Sequence, residues 1–311
     1  MSDTPQLFPL SDQPPFIQLI VSSIVILVSG IVFILLFVLG GSLLFRTNIS
    51  QILSTAQGAV SENSELIFKY LQAIQGISLF IIPSFIISVF MTNGRGNWLL
   101  IKNIPNRNAI VLVVCLAVLM IPVTSATGLL NSGMTLPQWL RGLETWMKAK
   151  EDTATYLTGV LLAANSIPAL IINLFVIAIL PAVGEELLFR GVIQQIFQKM
   201  FKSGNWAVWV TAIIFSSIHL QFYGFLPRLI LGLVFGYLFY WGRSMWLPVI
   251  AHLVNNAIPV ISSYFMKWDQ INNKTQEFVE TNILFIMFSV ITSLMILLYF
   301  RNIYLSNKSE V

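Results

Sequence analysis

Charged residues are scarce in this chain. Only 10% of its 311 residues are Asp, Glu, Lys or Arg, whereas 56% are hydrophobic. A soluble globular protein carries about 25% charged residues. The composition therefore predicts an integral membrane protein with several spans. We interpret the net charge of +4 as the cationic bias of membrane loops, and we expect no nucleic-acid partner.

The chain has almost no cysteine, and its N-terminal residues carry no cation. The single cysteine, Cys115, lies in an apolar run, which excludes a disulfide framework and a cysteine-rich metal site. The first residues carry Asp3 and Asp12 and no Lys or Arg. A signal peptide needs a basic start and a short apolar region. We therefore expect the first apolar run to be an uncleaved span.

Long apolar runs mark the candidate spans. We predict an all-α polytopic bundle of about eight transmembrane helices, at 16–45, 66–92, 109–130, 157–181, 206–221, 225–241, 246–263 and 281–300. A further helix is predicted at 183–201, beginning at the membrane edge after Pro181 and Gly184. No internal repeat or low-complexity segment divides residues 1–311, so we predict a single membrane domain.

Two features bear on the membrane surface. In LPQWLRGLETWMKAKED, residues such as Trp139, Leu143 and Trp146 share one helical face opposite the charged side chains. This pattern is typical of a helix in the interface plane, or of one packed on the protein's own outer rim. Loop cations, including Arg95 and Lys308, number eight on one side and seven on the other. We predict cytoplasmic N- and C-termini from this small bias and an even span count.

Ionisable side chains inside membrane spans are functional candidates, because burying them is costly unless they are paired. Few such groups occur within or beside the predicted spans: Glu185, Glu186, Arg190, His219, Arg228 and His252. Arg228 follows Pro227, where it either snorkels from a helix start or faces a substrate.

The acidic pair lies in the stretch GEELLFRG. Glu186 and Arg190 are four residues apart in the favourable order for a helical ion pair. Glu185 points about 100° away around the helix and does not share that pairing equally. It is left as a carboxylate in need of another partner. The competing interpretation is that both acids start a helix in a solvated first turn.

The chain has only two histidines, and both lie in apolar helices. His219 follows Phe215 by four residues, and His252 precedes Asn256 by four, so each pair shares a helix face. A lone histidine in a span is often just an inter-helix hydrogen bond. Together with Glu185, however, the set supplies a group to deprotonate water and donors for an oxyanion. This is the inventory for hydrolysis of an amide.

Other intramembrane protease chemistries lack their residues. An aspartyl mechanism needs two Asp inside the membrane, whereas Asp3, Asp12, Asp152 and Asp269 all lie outside the predicted spans. The sequence contains neither HExxH nor GxSxG.

A zinc site stays open at this point. Two histidines and a glutamate match the ligand set of a catalytic zinc ion, which would be held by Glu185, His219 and His252. We favour a site without a metal or other cofactor, because Asn256 beside His252 resembles a hydrogen-bonding pair.

The motifs EELLFR, FSSIH and HLVNN resemble, in order, the EExxxR, FxxxH and HxxxN motifs of the CPBP intramembrane proteases. That family includes the type II CAAX prenyl endopeptidases and the abortive-infection-like membrane proteases. The resemblance covers a protease core at about 175–262 and does not extend to the first half of the chain. It implies an eight-helix bundle with an internal cavity, and the pattern after Gly224 looks like bacterial members, which implies a bacterial plasma (inner) membrane.

The resemblance also implies roles. Glu185 and His219 would activate a water, and His252 and Asn256 would form the oxyanion hole. Glu186 and Arg190, with Phe215 of the FxxxH motif, would support them. The implied enzyme is an intramembrane endopeptidase, either a glutamate-type hydrolase or, if zinc is bound, a metalloprotease. Its partners would be the bilayer and a membrane-associated peptide or protein, CAAX-type or other.

Two other functions fit parts of the sequence. A non-catalytic immunity or scaffold protein of the same fold would bind a partner peptide without cutting it. A transporter would use Glu and His as a proton relay, although no inverted repeat supports this.

Overall fold

The computed structural model describes residues 10–56, 64–92 and 96–306. It is 87% helical and has no strand in the described part, so the predicted all-α polytopic class is confirmed. We number the main helices in chain order: α1 (Pro15–Leu44), α2 (Ile49–Ala56), α3 (Ser64–Thr92), α4 (Arg107–Ser132), α5 (Arg141–Leu162), α6 (Ile167–Phe201), α7 (Gly204–Ser217), α8 (Phe225–Gly242), α9 (Trp246–Phe265), α10 (Trp268–Thr281) and α11 (Ile283–Ser306). Both chain termini, Asp3, Arg95 and Lys308 lie outside the described residues.

The number of spans is lower than predicted. Six described helices are long and apolar enough to cross a membrane, or seven if the bent pair Trp246–Phe265 and Gln270–Thr281 forms one broken span. They are α1, α3, α4, α6, α11 and the segment Phe222–Gly242, which contains α8. Helix α7 has 14 residues, which at 1.5 Å per residue is about 21 Å long. The hydrocarbon layer is about 30 Å thick, so the predicted span at 206–221 is too short to cross it.

The predicted break at Pro181 and Gly184 is wrong. Helix α6 runs without interruption from Ile167 to Phe201, so the predicted span 157–181 and the predicted helix 183–201 are not separate elements. The true boundary lies earlier, where α5 ends at Leu162 and the Ser166 side chain caps α6 by accepting from Ala169 N. The serine N-cap followed by a proline in the first turn is the local signal for that start.

Helix α6 contains two π-helical turns, and the first of them lies just before Pro181. Pro181 has no N–H and would clash with the carbonyl four residues earlier in a regular α-helix. The turn Leu174–Ile179 has i→i+5 geometry immediately before this proline, and a second π turn, Phe189–Gln194, follows the acidic pair. Such turns are inserted into α-helices often at functional sites. Glu185 and Glu186 therefore lie in the middle of a long helix and not in a solvated first turn.

The short connection between α5 and α6 is held by α6 itself and by two other helices, α3 and α9. Lys69 of α3 donates to the carbonyl of Ala163 at 3.4 Å, and Asn173 of α6 donates to the carbonyls of Leu162 and Ala163 at 3.2 Å. Ser263 of α9 also donates to Leu162 O. These bonds satisfy the last carbonyls of α5, which would otherwise lack partners.

The outer helices present apolar side chains outwards. In α1, Leu27, Ile31 and Leu35 recur every turn and are about 60% exposed (63, 60 and 59%). In α11, Ile291 and Met295 are similarly exposed. A continuous apolar face of this size is expected on a surface that contacts lipid acyl chains and not water. The chain is thus a multi-pass membrane protein.

Helix α5 contains the predicted amphipathic segment. A short 3-10 turn, Gln138–Leu140, precedes it. Trp139 is 81% exposed, whereas the ring of Trp146 contacts that of Phe222 with centroids 5.4 Å apart. One tryptophan thus faces outwards and the other packs on the turn before α8. Whether α5 lies in the interface plane stays a prediction.

Candidate active site

The two glutamates lie side by side on α6 with different partners. Glu186 and Arg190 are both fully buried, and Glu186 Oε2 lies 3.0 Å from Arg190 Nε. The contact is an ion pair without the alignment of a hydrogen bond. The sequence predicts this pair from its i, i+4 spacing. Arg190 Nη2 also donates to the carbonyl of Gly232 on α8 at 3.2 Å, so the pair ties α6 to α8.

Glu186 has a second partner that the sequence did not predict. Its Oε1 lies 2.9 Å from Nδ1 of His252 on α9. Because a carboxylate only accepts, His252 Nδ1 carries a proton and donates. Glu186 thereby orients the imidazole and directs Nε2 of the same ring away from itself. The acid at position 186 connects the arginine of α6 with the histidine of α9.

Glu185 lies on the other side of that histidine. Its Oε2 is 3.9 Å from His252 Nε2, too long for a direct hydrogen bond. The Glu185 side chain is 13% exposed, in contrast to the fully buried Glu186. It lines a cavity of about 530 Å³ together with His219. Glu185 is thus the carboxylate of the pair that a small molecule in the cavity can reach.

His219 lies just past the end of α7 and is fixed by its own backbone. Its Nδ1 is 2.7 Å from the carbonyl oxygen of Phe215, one turn earlier. A carbonyl only accepts, so Nδ1 carries the proton and, in the neutral ring, Nε2 keeps a lone pair. This arrangement suits a base or a ligand that acts through Nε2.

Phe215 packs between the two histidines. Its ring contacts those of His219 and His252 edge-on, with centroids 5.1 and 6.2 Å apart. The guanidinium of Arg190 lies 4.7 Å from the centre of the same ring, in the range of a cation–π contact. The ring of His252 also stacks on that of Phe235, with centroids 5.0 Å apart. These aromatic contacts restrict both imidazoles to one orientation.

Asn256 lies one turn beyond His252 and hydrogen-bonds to the backbone of α6. Its Nδ2 donates to the carbonyl of Ile177 at 3.4 Å. The described residues lining the cavity include Glu185 and His219 but neither His252 nor Asn256. The structure thus joins Glu186, Arg190 and His252 by direct polar contacts and places Glu185 3.9 Å from His252. It links His219 to them through Phe215 and the cavity that His219 shares with Glu185. Asn256 remains at the edge of this group.

Comparison with known families bears on the same segment. Residues 167–258 match the family model described as type II CAAX prenyl endopeptidase Rce1-like. The match supports the resemblance of this segment to the CPBP intramembrane proteases. The matched region begins at the first residue of α6 and ends just after Asn256, so it contains all three motifs. No curated protein and no solved structure match the chain. Because this is a protease family, the match supports peptidase activity in general.

The structure adds two residues from outside the segment matched to the CPBP family. Gln72 and Gln75 of α3 line the same cavity as Glu185 and His219. Most of the remaining wall is apolar, for example Leu79 and Phe80 of α3 and Val176, Leu180 and Leu188 of α6. Neither glutamine side chain hydrogen-bonds to another described residue. The sequence signal for them is the presence of two uncharged polar side chains beside an apolar run.

Arg228 stays apart from the cavity lining. Its guanidinium donates to the Gln221 carbonyl at 3.1 Å and contacts the Gln221 side-chain oxygen. The residue lies in the first turn of α8, as its position after Pro227 predicts. These bonds close the loop between His219 and α8. The rival substrate-facing role stays a prediction, and the Arg228 charge acts electrostatically on both Glu185 and His219.

Whether the site binds zinc stays a prediction. No group of three or more His, Cys, Asp or Glu side chains placed to hold a metal occurs in the described part of the chain. Nδ1 of each histidine is engaged, in His252 by Glu186 and in His219 by a backbone carbonyl, which leaves Nε2 of both rings as the nitrogen that a ligand could meet. We derive no step through a metal ion.

Proposed function

We propose that this protein is an intramembrane endopeptidase that hydrolyses a peptide bond with a water activated by Glu185 and His219. The observation that carries the proposal is the shared cavity, in which a partly exposed carboxylate and a histidine with a free Nε2 interrupt an apolar wall. A carboxylate and an imidazole in a site of low dielectric are effective acceptors of a proton from water. We further propose that this chemistry needs no bound metal.

We propose the following reaction, in which His219 helps Glu185 to hold the water. The water oxygen forms a bond to the carbonyl carbon of the scissile amide as Glu185 takes its proton. The carbonyl oxygen becomes an oxyanion, which accepts from His252 Nε2–H and from the second amide hydrogen of Asn256. The tetrahedral intermediate collapses with cleavage of the C–N bond. The proton returns from Glu185 to the leaving nitrogen, so that an acid and an amine are released.

Charge balance explains the second glutamate and the arginine. His252 can donate from both nitrogens only as an imidazolium. Glu185 and Glu186 carry two negative charges, and Arg190 and protonated His252 carry two positive ones. The buried group is then neutral as a whole, which limits the cost of desolvating it. Glu186 holds the imidazolium from behind, in the manner of a carboxylate that orients a catalytic histidine.

We propose a membrane-associated peptide or protein as substrate, CAAX-type or other. The cavity is formed by α1, α3, α6, α7 and the residues after α7, and most of its lining side chains are aliphatic or aromatic. Such a wall accepts apolar side chains or a lipid-modified residue, and the polar side chains of the lining, including Glu185 and His219, can meet a peptide backbone. We propose a bacterial plasma membrane as its location, with both termini in the cytoplasm.

The purified full-length protein in proteoliposomes tests this function with two fluorogenic peptides, one prenylated CAAX peptide and one without the prenyl group. We expect Glu185→Gln to lower turnover by at least about 100-fold, the scale of general-base catalysis. Glu277→Gln, an exposed acid on α10, serves as the matched control and should keep wild-type turnover. Equal turnover by wild type and Glu185→Gln on both peptides would refute the peptidase proposal and favour a non-catalytic scaffold.

A further inference from the structure

A second cavity, of about 510 Å³, lies at the end of the bundle where α3, α6 and α8 terminate. It is lined by the last residue of α3, the connection after it, the C-terminal turns of α6 and the residue after α8: Thr92, Asn97, Trp98, Leu100, Gln195, Gln198, Lys199 and Arg243. Helices that cross a membrane end near its surface, at the level of the lipid headgroups. This cavity therefore lies apart from the active-site cavity, with which it shares no lining residue.

Two cations flank this cavity. Lys199 Nζ lies 4.5 Å above the ring of Trp98, and its other polar contact is a long one, 3.4 Å to Gln18 Oε1. The Arg243 side chain is exposed, and the hydrogen bonds of this residue use its backbone, whose N–H donates to Phe239 O and whose carbonyl accepts from Asn103 Nδ2. No Asp or Glu lines the cavity. Asp12 attracts Lys199 electrostatically from outside the lining, so the cavity keeps an excess of positive charge.

Two buried donors in the lining have no hydrogen-bond partner among the described residues. They are Trp98 Nε1 and Gln198 Nε2. A buried N–H without an acceptor costs about 1–3 kcal/mol, so such donors are expected to meet a ligand or ordered water. The connection that carries Trp98 is held in place, because Gln195 Nε2 donates to the Trp98 carbonyl at 2.7 Å. The donors are thus fixed by the fold before any ligand binds.

We propose that this cavity binds a phosphate group, with Lys199 and Arg243 supplying charge and Trp98 Nε1 and Gln198 Nε2 supplying neutral donors. A phosphate has several oxygen acceptors, matches the guanidinium of an arginine and attracts a lysine as a point charge. At this position it is carried either by the headgroup of an anionic phospholipid or by a free phosphate ion. Anionic headgroups are drawn to basic clusters near membrane ends. The site would couple the C-terminal end of the catalytic helix α6 to the surrounding lipid.

Native mass spectrometry of the full-length protein in detergent tests this site. The probes are phosphatidylglycerol, phosphatidylcholine and inorganic phosphate, each titrated separately. We expect retention of phosphatidylglycerol over phosphatidylcholine, and loss of that retention by at least about 10-fold in Lys199→Gln/Arg243→Gln, since two charged hydrogen bonds are removed. Trp98→Phe, which keeps the ring and removes only the N–H, should weaken retention less, by about 2- to 10-fold.

The control variant is Lys150→Gln/Lys267→Gln, which makes the same change of net charge in α5 and before α10. It should bind phosphatidylglycerol as the wild type does. Displacement of the lipid by inorganic phosphate would assign the recognition to the phosphate alone, and failure to displace it would assign it to the intact lipid. Equal loss in the control and test variants, or no loss in either, would overturn the proposal. Thermal unfolding of each variant verifies that the protein is folded.

Discussion

The side-chain amide of Asn256 donates to the carbonyl oxygen of Ile177 at 3.4 Å. Ile177 is four residues before Pro181, and a proline has no N–H to give to that carbonyl. Asn256 therefore supplies from α9 a donor to a carbonyl that cannot form the regular i→i+4 bond. The same residue is proposed as an oxyanion donor, and an amide has two hydrogens, so both contacts are open to it.

A mutant cycle separates these two roles of Asn256. Asn256→Ala should cost about 0.5–1.5 kcal/mol of stability, the net value of one hydrogen bond. In the Pro181→Ala background the new N–H can reach the Ile177 carbonyl, and the cost of Asn256→Ala should largely disappear. Peptidase activity should stay low in the double variant, because the oxyanion donor is still missing. The measurements are thermal unfolding in detergent and peptide turnover.

Pro122→Ala, in the interior of α4, is the control for that cycle, since it removes a helix proline far along the chain from α6. It should not relieve Asn256→Ala. Recovery of activity together with stability in Pro181→Ala/Asn256→Ala would show that Asn256 acts on structure alone.

Sequence spacing predicted the local part of the site and missed the tertiary part. The Glu186–Arg190 pair follows from one helical turn, and the structure shows it. The bond from His252 to Glu186 depends on how α9 packs on α6, which no spacing within one helix encodes. The catalytic and supporting roles remain predictions.

The sequence predicted the all-α fold class, but it did not predict where α6 begins. Pro181 and Gly184 are helix breakers by propensity, so the sequence pattern favoured a boundary there. In the structure a π turn accommodates the proline, and the missing side chain of Gly184 allows close packing on α3. Tertiary packing outweighs propensity at this point. The Ser166 cap was the correct signal, four residues after the true end of α5.

The buried ion pair gives a second prediction. Glu186→Gln or Arg190→Met alone should lower the stability by about 3–5 kcal/mol, because each leaves an uncompensated charge in the core. Glu186→Gln/Arg190→Met should cost less than the sum of the two, because neither charge remains. All three variants should lose peptidase activity. Without Glu186, His252 has no carboxylate to orient it, and without Arg190 that carboxylate has no cationic partner to hold it in place.

Thermal and denaturant unfolding of the purified variants checks the coupling. Lys148→Met, which breaks the partly exposed pair of Lys148 with Glu144 on α5, is the control and should leave the unfolding transition unchanged. Strict additivity of the two single costs would contradict a direct pairing of Glu186 with Arg190.

The two glutamines of α3 give a third prediction. Gln72 and Gln75 face a cavity with a largely apolar wall, and an amide side chain can donate to and accept from a peptide backbone. Gln72→Leu and Gln75→Leu should each raise KM about 2- to 10-fold, the value of one hydrogen bond, with a smaller change in kcat. Gln51→Leu, an exposed residue of α2, is the control. A fall in kcat at constant KM would assign these residues to the reaction step and not to substrate binding.

The packing of α3 against α6 gives the last prediction. A Cβ added at Gly184 would lie 3.1 Å from Phe80 Cβ, 3.2 Å from Ile81 Cγ1 and 3.4 Å from the carbonyl of Gly76. The first two distances are tighter than ordinary van der Waals contact, and the third is at its lower limit. The neighbours belong to the π turn Ile77–Ile81 of α3 and to the residue before it. Any added side chain must push α3 away from α6. Gly184 directly precedes Glu185, so that movement also changes the distance from the carboxylate to Gln72 and Gln75.

Gly76 provides a matched comparison on the opposing helix, because a Cβ built there meets no atom within 4 Å. Replacing a helix glycine by alanine stabilises by about 0.5–1 kcal/mol when the site has room. Gly76→Ala should show this gain with wild-type turnover, whereas Gly184→Ala should lose it to overpacking, which costs about 1–3 kcal/mol. Thermal unfolding and peptide turnover of the two variants are measured side by side. Equal stability and equal activity of both would mean that α3 and α6 can separate freely, and that the cavity wall containing Gln72 and Gln75 is not fixed relative to Glu185.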